Sequence, residues 1–181
     1  MRYFFSFILC LSLWSLNAQS SINSNVFSGQ TPGILFQGDA TAVKNVEFEL
    51  LQNKANKTYK KSFKKNEGIV FIKKGSAEIQ TNRFSKTLTP GSIALISQGD
   101  KLKLKSPSGS PVEFYLFSYQ SKNPVNQGDT AASFARVWED LRFNKHERGG
   151  VRSYFSKPTS QTKRFEMHVT TLLGGLPSHP P

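Results

Sequence analysis

Residues 30–120 contain many short apolar segments separated by turns, and this pattern limits the possible folds more than any other feature. In the segment NVEFELLQN, the apolar residues Val46, Phe48 and Leu50 alternate with polar ones, which is the period of a half-buried strand. A turn signal at Gly75 and the absence of a helical period fit the same interpretation. Four further segments have strand character: GIVFIKKGSAEIQ, KTLTPGSIALIS, DKLKLKS and PVEFYLFSYQ. The sequence therefore predicts an all-β fold, built as an antiparallel β-barrel or jelly roll.

Residues 121–150 differ in composition and in the spacing of their apolar residues. Their proline and glycine residues are typical of a connection, and either Asp129 or Thr130 could cap a short helix. The apolar residues that follow have helix-like spacing: Phe134, Val137, Trp138 and Leu141. We therefore predict a linker that packs against the barrel and contains one short helix.

Strand-like alternation resumes in residues 151–181, where one face carries Phe165, Met167, Val169 and Thr171. A second β unit begins in this segment. It is too short to fold independently, because chains under roughly 40 residues seldom fold without disulfides, metals or partners. We expect its apolar side chains to pack on the first barrel, to pair with another chain or to stay mobile.

Residues 1–18 have the layout of a secretory signal peptide. Arg2 supplies the positive start, an apolar run follows it, and the small residue Ala18 precedes Gln19. The run is shorter than the roughly 20 apolar residues that a membrane span needs. We predict cleavage between Ala18 and Gln19, no stable membrane span, a polar lead-in over residues 19–29, and an exported protein that is periplasmic or extracellular.

The single cysteine of the chain, Cys10, lies inside this leader. After cleavage the protein would contain no thiol. A disulfide, a cysteine nucleophile and a cysteine metal ligand are therefore excluded for the mature chain.

The segments EGIVFIKKGSAEIQ and LTPGSIALISQGDKLKLK resemble the two motifs of the cupin family, over roughly residues 60–118. In that family the first motif runs from a His-x-His pair through a Glu to a glycine, and the second is a Pro-x-Gly followed by a His. Three imidazoles and one carboxylate form a mixed site suited to a divalent metal. The resemblance therefore implies a small barrel whose family relatives bind metal inside it.

None of the four ligand positions implied by this resemblance holds a ligand. With Gly75 as the motif glycine, they fall at Lys61, Phe63, Gly68 and Leu102, and Glu67 is one residue out of register. Residues 30–120 are thus expected to form a degenerate cupin barrel with no metal, no cofactor and no catalytic residue.

The segment RFEMHVTTLLGGLPSHPP resembles the lead-in to a second cupin. Proteins with two such barrels, the bicupins, include (S)-ureidoglycine aminohydrolase-like enzymes. The resemblance implies that residues 151–181 begin a second, incomplete cupin domain and that the chain is truncated there. It also implies a divalent metal in the missing part of that second domain.

Lysines dominate residues 54–105, within a chain of formal net charge +12. A surface for a polyanion is one interpretation of this stretch. A solvated strand face, on which lysines prevent edge-to-edge pairing, is the other. Nucleic acid is disfavoured as the partner, because the protein is expected to be exported and because lysine outnumbers arginine. The candidate anion-binding residues are Lys60, Lys61, Lys64, Lys65, Lys73 and Lys74.

Three functions stay open at this point. The intact protein could be a metal-dependent bicupin that acts on a small polar molecule, with the present chain inactive alone. It could instead be a non-catalytic module that binds a sugar or an anion. The third possibility is a structural barrel that serves in a homo-oligomer.

Overall fold

The computed structural model describes residues 31–107, 109–125 and 132–174. The signal-peptide, cleavage-site and lead-in predictions for residues 1–29 therefore lie outside the described part of the chain, as do Asp129, Thr130 and residues 175–181. The strands of the first part are β1 Gly33–Gly38, β2 Val43–Asn53, β3 Thr58–Ser62, β4 Glu67–Lys74, β5 Ala77–Gln80, β6 Ser85–Leu88, β7 Ile93–Ile96, β8 Lys101–Lys105 and β9 Val112–Ser121. The later elements are β10 Phe134–Arg136, the 3-10 helix Trp138–Asp140, β11 Asn144–His146, β12 Gly149–Lys157 and β13 Phe165–Leu172.

These strands form three antiparallel sheets, which confirms the predicted all-β fold. A six-stranded sheet has the order β1-β2-β9-β4-β7-β10, and a four-stranded sheet has the order β3-β8-β5-β6. The third sheet contains β11, β12 and β13 in that order. The turn predicted at Gly75 joins β4 to β5, with φ of +77°. A side chain there would meet the carbonyl oxygen of Pro111 at 2.8 Å, so a glycine is required.

The first two sheets face each other and enclose an inner core of apolar side chains. The four-stranded sheet presents alternate residues to this core, such as Leu102 and Leu104 of β8, while the intervening lysines are exposed. The six-stranded sheet contributes Val70, Phe114, Leu116 and others. Burial of this kind contributes roughly 1.5–3 kcal/mol for each large apolar side chain.

The six-stranded sheet is buried on its other face as well. There Ile69, Ile93 and Leu95 pack with side chains of the third sheet, namely Tyr154, Phe155, Phe165, Met167 and Val169. We call this second cluster the outer core. Two-sided burial explains why β4 and β7 are continuous apolar runs in the sequence, whereas β8 alternates.

The third sheet therefore packs on the first barrel, the first of the three outcomes expected for residues 151–181. Phe165, Met167 and Val169 are buried and Thr171 is half-buried on the same face of β13, as the alternation predicted. The sheet also includes β11, so it starts before residue 151. Its strand pairs β11–β12 and β12–β13 are both antiparallel.

The helix predicted in residues 129–141 is not formed in the described part of that segment. Phe134–Arg136 is instead strand β10, which pairs with β7 at the edge of the six-stranded sheet. The physical reason is alternation between two cores: Phe134 packs against the outer core, while Ala135 packs against the inner core. One helical turn follows, as the 3-10 helix Trp138–Asp140.

Candidate functional site

The structure brings the four degenerate ligand positions close together. Lys61 of β3 is the cross-strand partner of Leu102 in β8, so both side chains leave the same face of the sheet. Phe63 and Leu102 are buried in the inner core, at 0% and 1% exposure. A Cβ built on Gly68 would lie 2.7 Å from Cζ of Phe63, which places the phenyl ring directly against this glycine.

These residues do not fit a divalent metal. Two of the positions hold buried hydrocarbon side chains, one has no side chain, and the fourth holds an ammonium group. A metal site of the usual kind needs three or four nitrogen, oxygen or sulfur ligands. Among residues 31–107, 109–125 and 132–174, no group of three or more His, Cys, Asp or Glu side chains could hold a metal ion.

Lys61 is engaged with two carboxylates of β2. Its Nζ lies 3.0 Å from Oε2 of Glu49 and 3.4 Å from Oε2 of Glu47, and all three side chains are less than one third exposed. Tyr59, two residues before Lys61 on β3, is influenced by the same carboxylates. Burial and, to a smaller extent, Glu49 and Glu47 raise the pKa of the Tyr59 hydroxyl, so it stays protonated. The ammonium group of Lys61 thus has anionic partners within the protein itself.

Glu67 lies on the opposite face of β4 from Gly68, because successive residues of a strand alternate. Its carboxylate is fully buried between the six-stranded sheet and the loop that joins β12 to β13. It accepts hydrogen bonds from the Tyr119 hydroxyl at 2.6 Å, from Ser160 Oγ at 2.7 Å and from the Ser160 backbone N–H at 3.1 Å. The shift of one residue in register therefore directs this carboxylate to the third sheet rather than into the barrel.

Burial raises the pKa of Glu67 above its ordinary range, and the hydrogen bonds from Tyr119 and Ser160 offset only part of that rise. Neighbouring amides extend the contact, since Gln161 Nε2 donates to Gln98 Oε1 at 2.7 Å and Gln98 N–H donates to Ser160 Oγ at 3.2 Å. This network joins the third sheet to the barrel. Its donors and acceptors satisfy each other, which is typical of a structural junction.

The six lysines predicted from sequence as anion-binding candidates do not converge on one patch. Lys60 lies on the outer face of the four-stranded sheet, and Lys61 is engaged as described above. Lys64 and Lys65 precede β4, whereas Lys73 and Lys74 end it. Lys65 and Lys73 are eight positions apart, which corresponds to roughly 26 Å at about 3.3 Å per residue. Lys73 also contacts a carboxylate, Glu113 Oε2, at 3.4 Å.

Sequence reasoning missed a more regular group of lysines on β8. Lys101, Lys103 and Lys105 alternate with Leu102 and Leu104, and all three are exposed. The alternation was visible in the segment DKLKLKS, but its polar face was not considered as a site.

No family model matches this chain, and no curated protein matches it. Solved structures do resemble it. A candidate glyoxylate-induced protein from Pseudomonas aeruginosa has a TM-score of 0.55 at 14% identity, with 68% of this chain and 48% of that chain covered. Protein Ylba from E. coli, of the DUF861 family, has a TM-score of 0.51 at 11% identity, with 68% and 55% covered. The Cnp3 cupin domain from Schizosaccharomyces pombe has a TM-score of 0.43 at 15% identity, with 50% and 60% covered.

The strand topology and the likeness to the Pseudomonas aeruginosa and E. coli structures thus show an all-β, antiparallel fold of the cupin jelly-roll type. At these identities the likeness concerns the fold alone. The chain spans about half the length of the Pseudomonas aeruginosa and E. coli structures. In the described ranges, no helix has the length and apolar character needed to cross a membrane.

Proposed function

We propose that the first barrel is the metal-free, non-catalytic half of an exported, bicupin-type protein. The observation that carries this proposal is the side-chain content of the four ligand positions, above all Phe63 and Leu102, which are buried in the inner core. A ligand site needs a concave space with a few converging polar groups. At Phe63 and Leu102 the barrel has packed hydrocarbon instead.

Two observations support a second cupin unit that includes the third sheet. The outer core joins this sheet to the barrel through large apolar side chains from both. In addition, the Pseudomonas aeruginosa and E. coli structures each match 68% of this chain. This share is greater than the part of the chain that strands β1–β9 occupy, so the match extends beyond the first barrel. In the proposed longer protein, a divalent metal in the second unit would supply Lewis-acid chemistry toward a small polar molecule.

Export rests on residues 1–18, which have a positive start, an apolar run and a small residue before Gln19. In this proposal the mature protein functions outside the cytoplasm. A homo-oligomer is also proposed, through the β1 edge of the six-stranded sheet, where Ile34 and Phe36 are 57% and 43% exposed.

Metal analysis of the 181-residue chain tests whether the first barrel is free of bound metal. After mild chelation and dialysis, we expect far less than one equivalent of zinc, manganese or iron per chain. We also expect no rise in melting temperature when Zn²⁺ or Mn²⁺ is added, because a ligand stabilises a fold only if it binds the folded state. Stoichiometric metal that survives dialysis, with a rise in melting temperature, would show that the ligand register is wrong.

A longer form of the protein provides the second half of this test. If it contains a complete second barrel, it should bind about one metal ion per chain. Replacing Phe63 by Leu in that form should leave the metal content unchanged, because the site would lie in the other unit. Loss of metal in this variant would place the site in the first barrel and contradict the proposal.

A further inference from the structure

The outer face of the four-stranded sheet carries an ordered group of lysines. We call Lys60, Lys101, Lys103 and Lys105 the lysine face. On β8, Leu102 and Leu104 are buried at 1% and 0% exposure, so the alternating lysines all leave the opposite face. Lys60 of β3 lies directly opposite Lys103 and therefore leaves the same face.

Strand geometry spaces these charges regularly. Alternate residues of β8 are about 6.6 Å apart along the strand, and neighbouring strands are about 4.8 Å apart. Polar, uncharged residues complete the rows: Gln80 pairs with Lys103 on the other side, Thr58 with Lys105, and Ser62 with Lys101. The one acid at these paired positions is Glu78, opposite Lys105.

Protection of a sheet edge does not account for the lysine face. Lysines that serve this purpose are placed on edge strands, which here are β3 and β6. Three of the four lysines are instead on β8, which is paired with β3 on one side and β5 on the other. Like charges directly opposite each other also destabilise a sheet, and Lys60 and Lys103 are such a pair.

Among the described residues, the lysines of this face form no ion pair. No carboxylate in the described part of the chain lies within 4.0 Å of the ammonium groups of these four lysines. Other lysines do have such partners, for example Lys61 with Glu49 and Lys86 with Asp140. The positive charge of this face is therefore available to an external anion.

A depression lined by polar and charged residues lies at one side of the lysine face. It has a volume of about 310 Å³ and is lined by Gln80, Thr81, Asn82, Lys101 and Lys103. Amide and hydroxyl side chains can exchange hydrogen bonds with hydroxyl groups, while the two lysines attract carboxylates. A polymer that repeats both hydroxyl and carboxylate groups would therefore match both the depression and the regularly spaced lysines.

We propose that the lysine face binds an acidic polysaccharide. Its carboxylates would contact the lysines, and its hydroxyl groups would contact Gln80, Thr81 and Asn82. Single-stranded nucleic acid fits less well, because the outward positions of β3, β8, β5 and β6 have neither the aromatic side chains on which bases stack nor arginines. A bilayer fits less well, because the same positions have no apolar side chain to insert into it. The inference is independent of the proposed second cupin unit.

Binding to polygalacturonate tests the proposal, with the full chain and with neutral dextran as the control polymer. We expect affinity for polygalacturonate at 20 mM NaCl and none for dextran. Affinity should fall steeply by 500 mM NaCl, because salt screens exposed charges. The variant with Lys101, Lys103 and Lys105 all replaced by Gln should bind about tenfold more weakly, since each exposed charge pair contributes a factor of roughly two.

A matched variant controls for net charge. Lys74, Lys122 and Lys145 are also exposed but lie at other places on the molecule, and replacing all three by Gln removes the same charge. We expect this variant to bind within about twofold of the unchanged protein. Thermal unfolding of both variants should match that of the unchanged protein, which separates lost binding from lost folding.

Three results would overturn the proposal. Equal losses in the two variants would mean that net charge, and not the lysine face, attracts the polymer. Absence of binding to polygalacturonate at 20 mM NaCl would show that the lysine face is not a site for an acidic polysaccharide. Tighter binding of the full chain to vesicles of equal phosphatidylglycerol and phosphatidylcholine, or to single-stranded DNA, would assign the face to a membrane or a nucleic acid instead.

Discussion

A double-mutant cycle between Gly68 and Phe63 tests whether a phenyl ring occupies the space of the missing carboxylate ligand. In Gly68→Ala, the new methyl group would lie 2.7 Å from Cζ of Phe63 and closer still to Cε1. Ordinary contacts begin at about 3.4 Å, so the ring or the strand must move by roughly an ångström. Because Phe63 is fully buried, this overpacking should cost about 1–3 kcal/mol of unfolding free energy.

Phe63→Leu removes the two ring atoms that cause this clash. Alone, it should cost about 1–2 kcal/mol, since it deletes part of a buried side chain without emptying the site. Gly68 has no positive φ, so alanine is not strained by its backbone. In the Phe63→Leu background, Gly68→Ala should therefore be neutral or stabilise by about 0.4–1 kcal/mol, through the reduced entropy of the unfolded chain. The expected coupling free energy is about 1–4 kcal/mol.

Urea unfolding of the four proteins, followed by circular dichroism, measures this cycle. Gly38→Ala is the control, because a Cβ there would meet Phe36 at an ordinary distance of 3.5 Å. It should change stability by less than about 0.5 kcal/mol. Additive effects of the two mutations, or a Gly68→Ala variant as stable as the unchanged protein, would refute the packing described for the ligand positions.

Four further predictions concern other parts of the molecule. Because the folded state raises the pKa of Glu67 above its ordinary value of 4.5, the contribution of Glu67 to the free energy of unfolding is fully present below pH 4.5 and declines as pH rises through the folded pKa, by at most about 1.4 kcal/mol per pH unit. Glu67→Gln should abolish this decline, measured by denaturant titrations at several pH values. Tyr119→Phe removes a 2.6 Å hydrogen bond to the same carboxyl group and should cost about 1–3 kcal/mol of unfolding free energy, measured in urea; an unchanged stability would contradict the contact. Mass spectrometry of the exported protein should give Gln19 as the first residue, and a membrane-bound chain that retains Met1 would contradict the signal peptide. Ile34→Lys should lower any dimer fraction in sedimentation velocity, and a purely monomeric unchanged protein would contradict self-association at the β1 edge.

Much of the fold could be predicted because burial in a sheet leaves a local pattern. The alternation in DKLKLKS indicates a strand that is buried on one face, and the apolar run IALI indicates a strand that is buried on both. Both segments are strands in the structure. Strand β3 could not be predicted, because TYKKS has a single aromatic residue and its pairing partner, β8, lies about 40 residues later in the chain. Strand β10 was taken for helix because Phe134, Val137 and Trp138 have a spacing that also suits a strand followed by one turn.

The candidate sites depended on information that is not local. The register from Gly75 predicted which residues stand at the ligand positions, but the contact between Phe63 and Gly68 required the folded chain. The lysine prediction selected neighbours in sequence, whereas the face is defined by pairing across strands. Lys60 and Lys103 are opposite each other because β3 pairs with β8, and this pairing cannot be predicted from the periodicity of either strand.

The outer core has a consequence for the order in which this protein becomes folded during synthesis. Ile69, Ile93, Leu95 and Tyr119 leave the ribosome well before the side chains that cover them, which begin at Phe134 and end at Val169. Until those arrive, the nascent barrel exposes a wide apolar face, and contacts of such long sequence separation form slowly. Glu67 is in the same position, since its partner Ser160 follows it by 93 residues. In whichever compartment it folds, a chain of this protein that ends between residues 120 and 165 should therefore bind chaperones more strongly than one that includes β13.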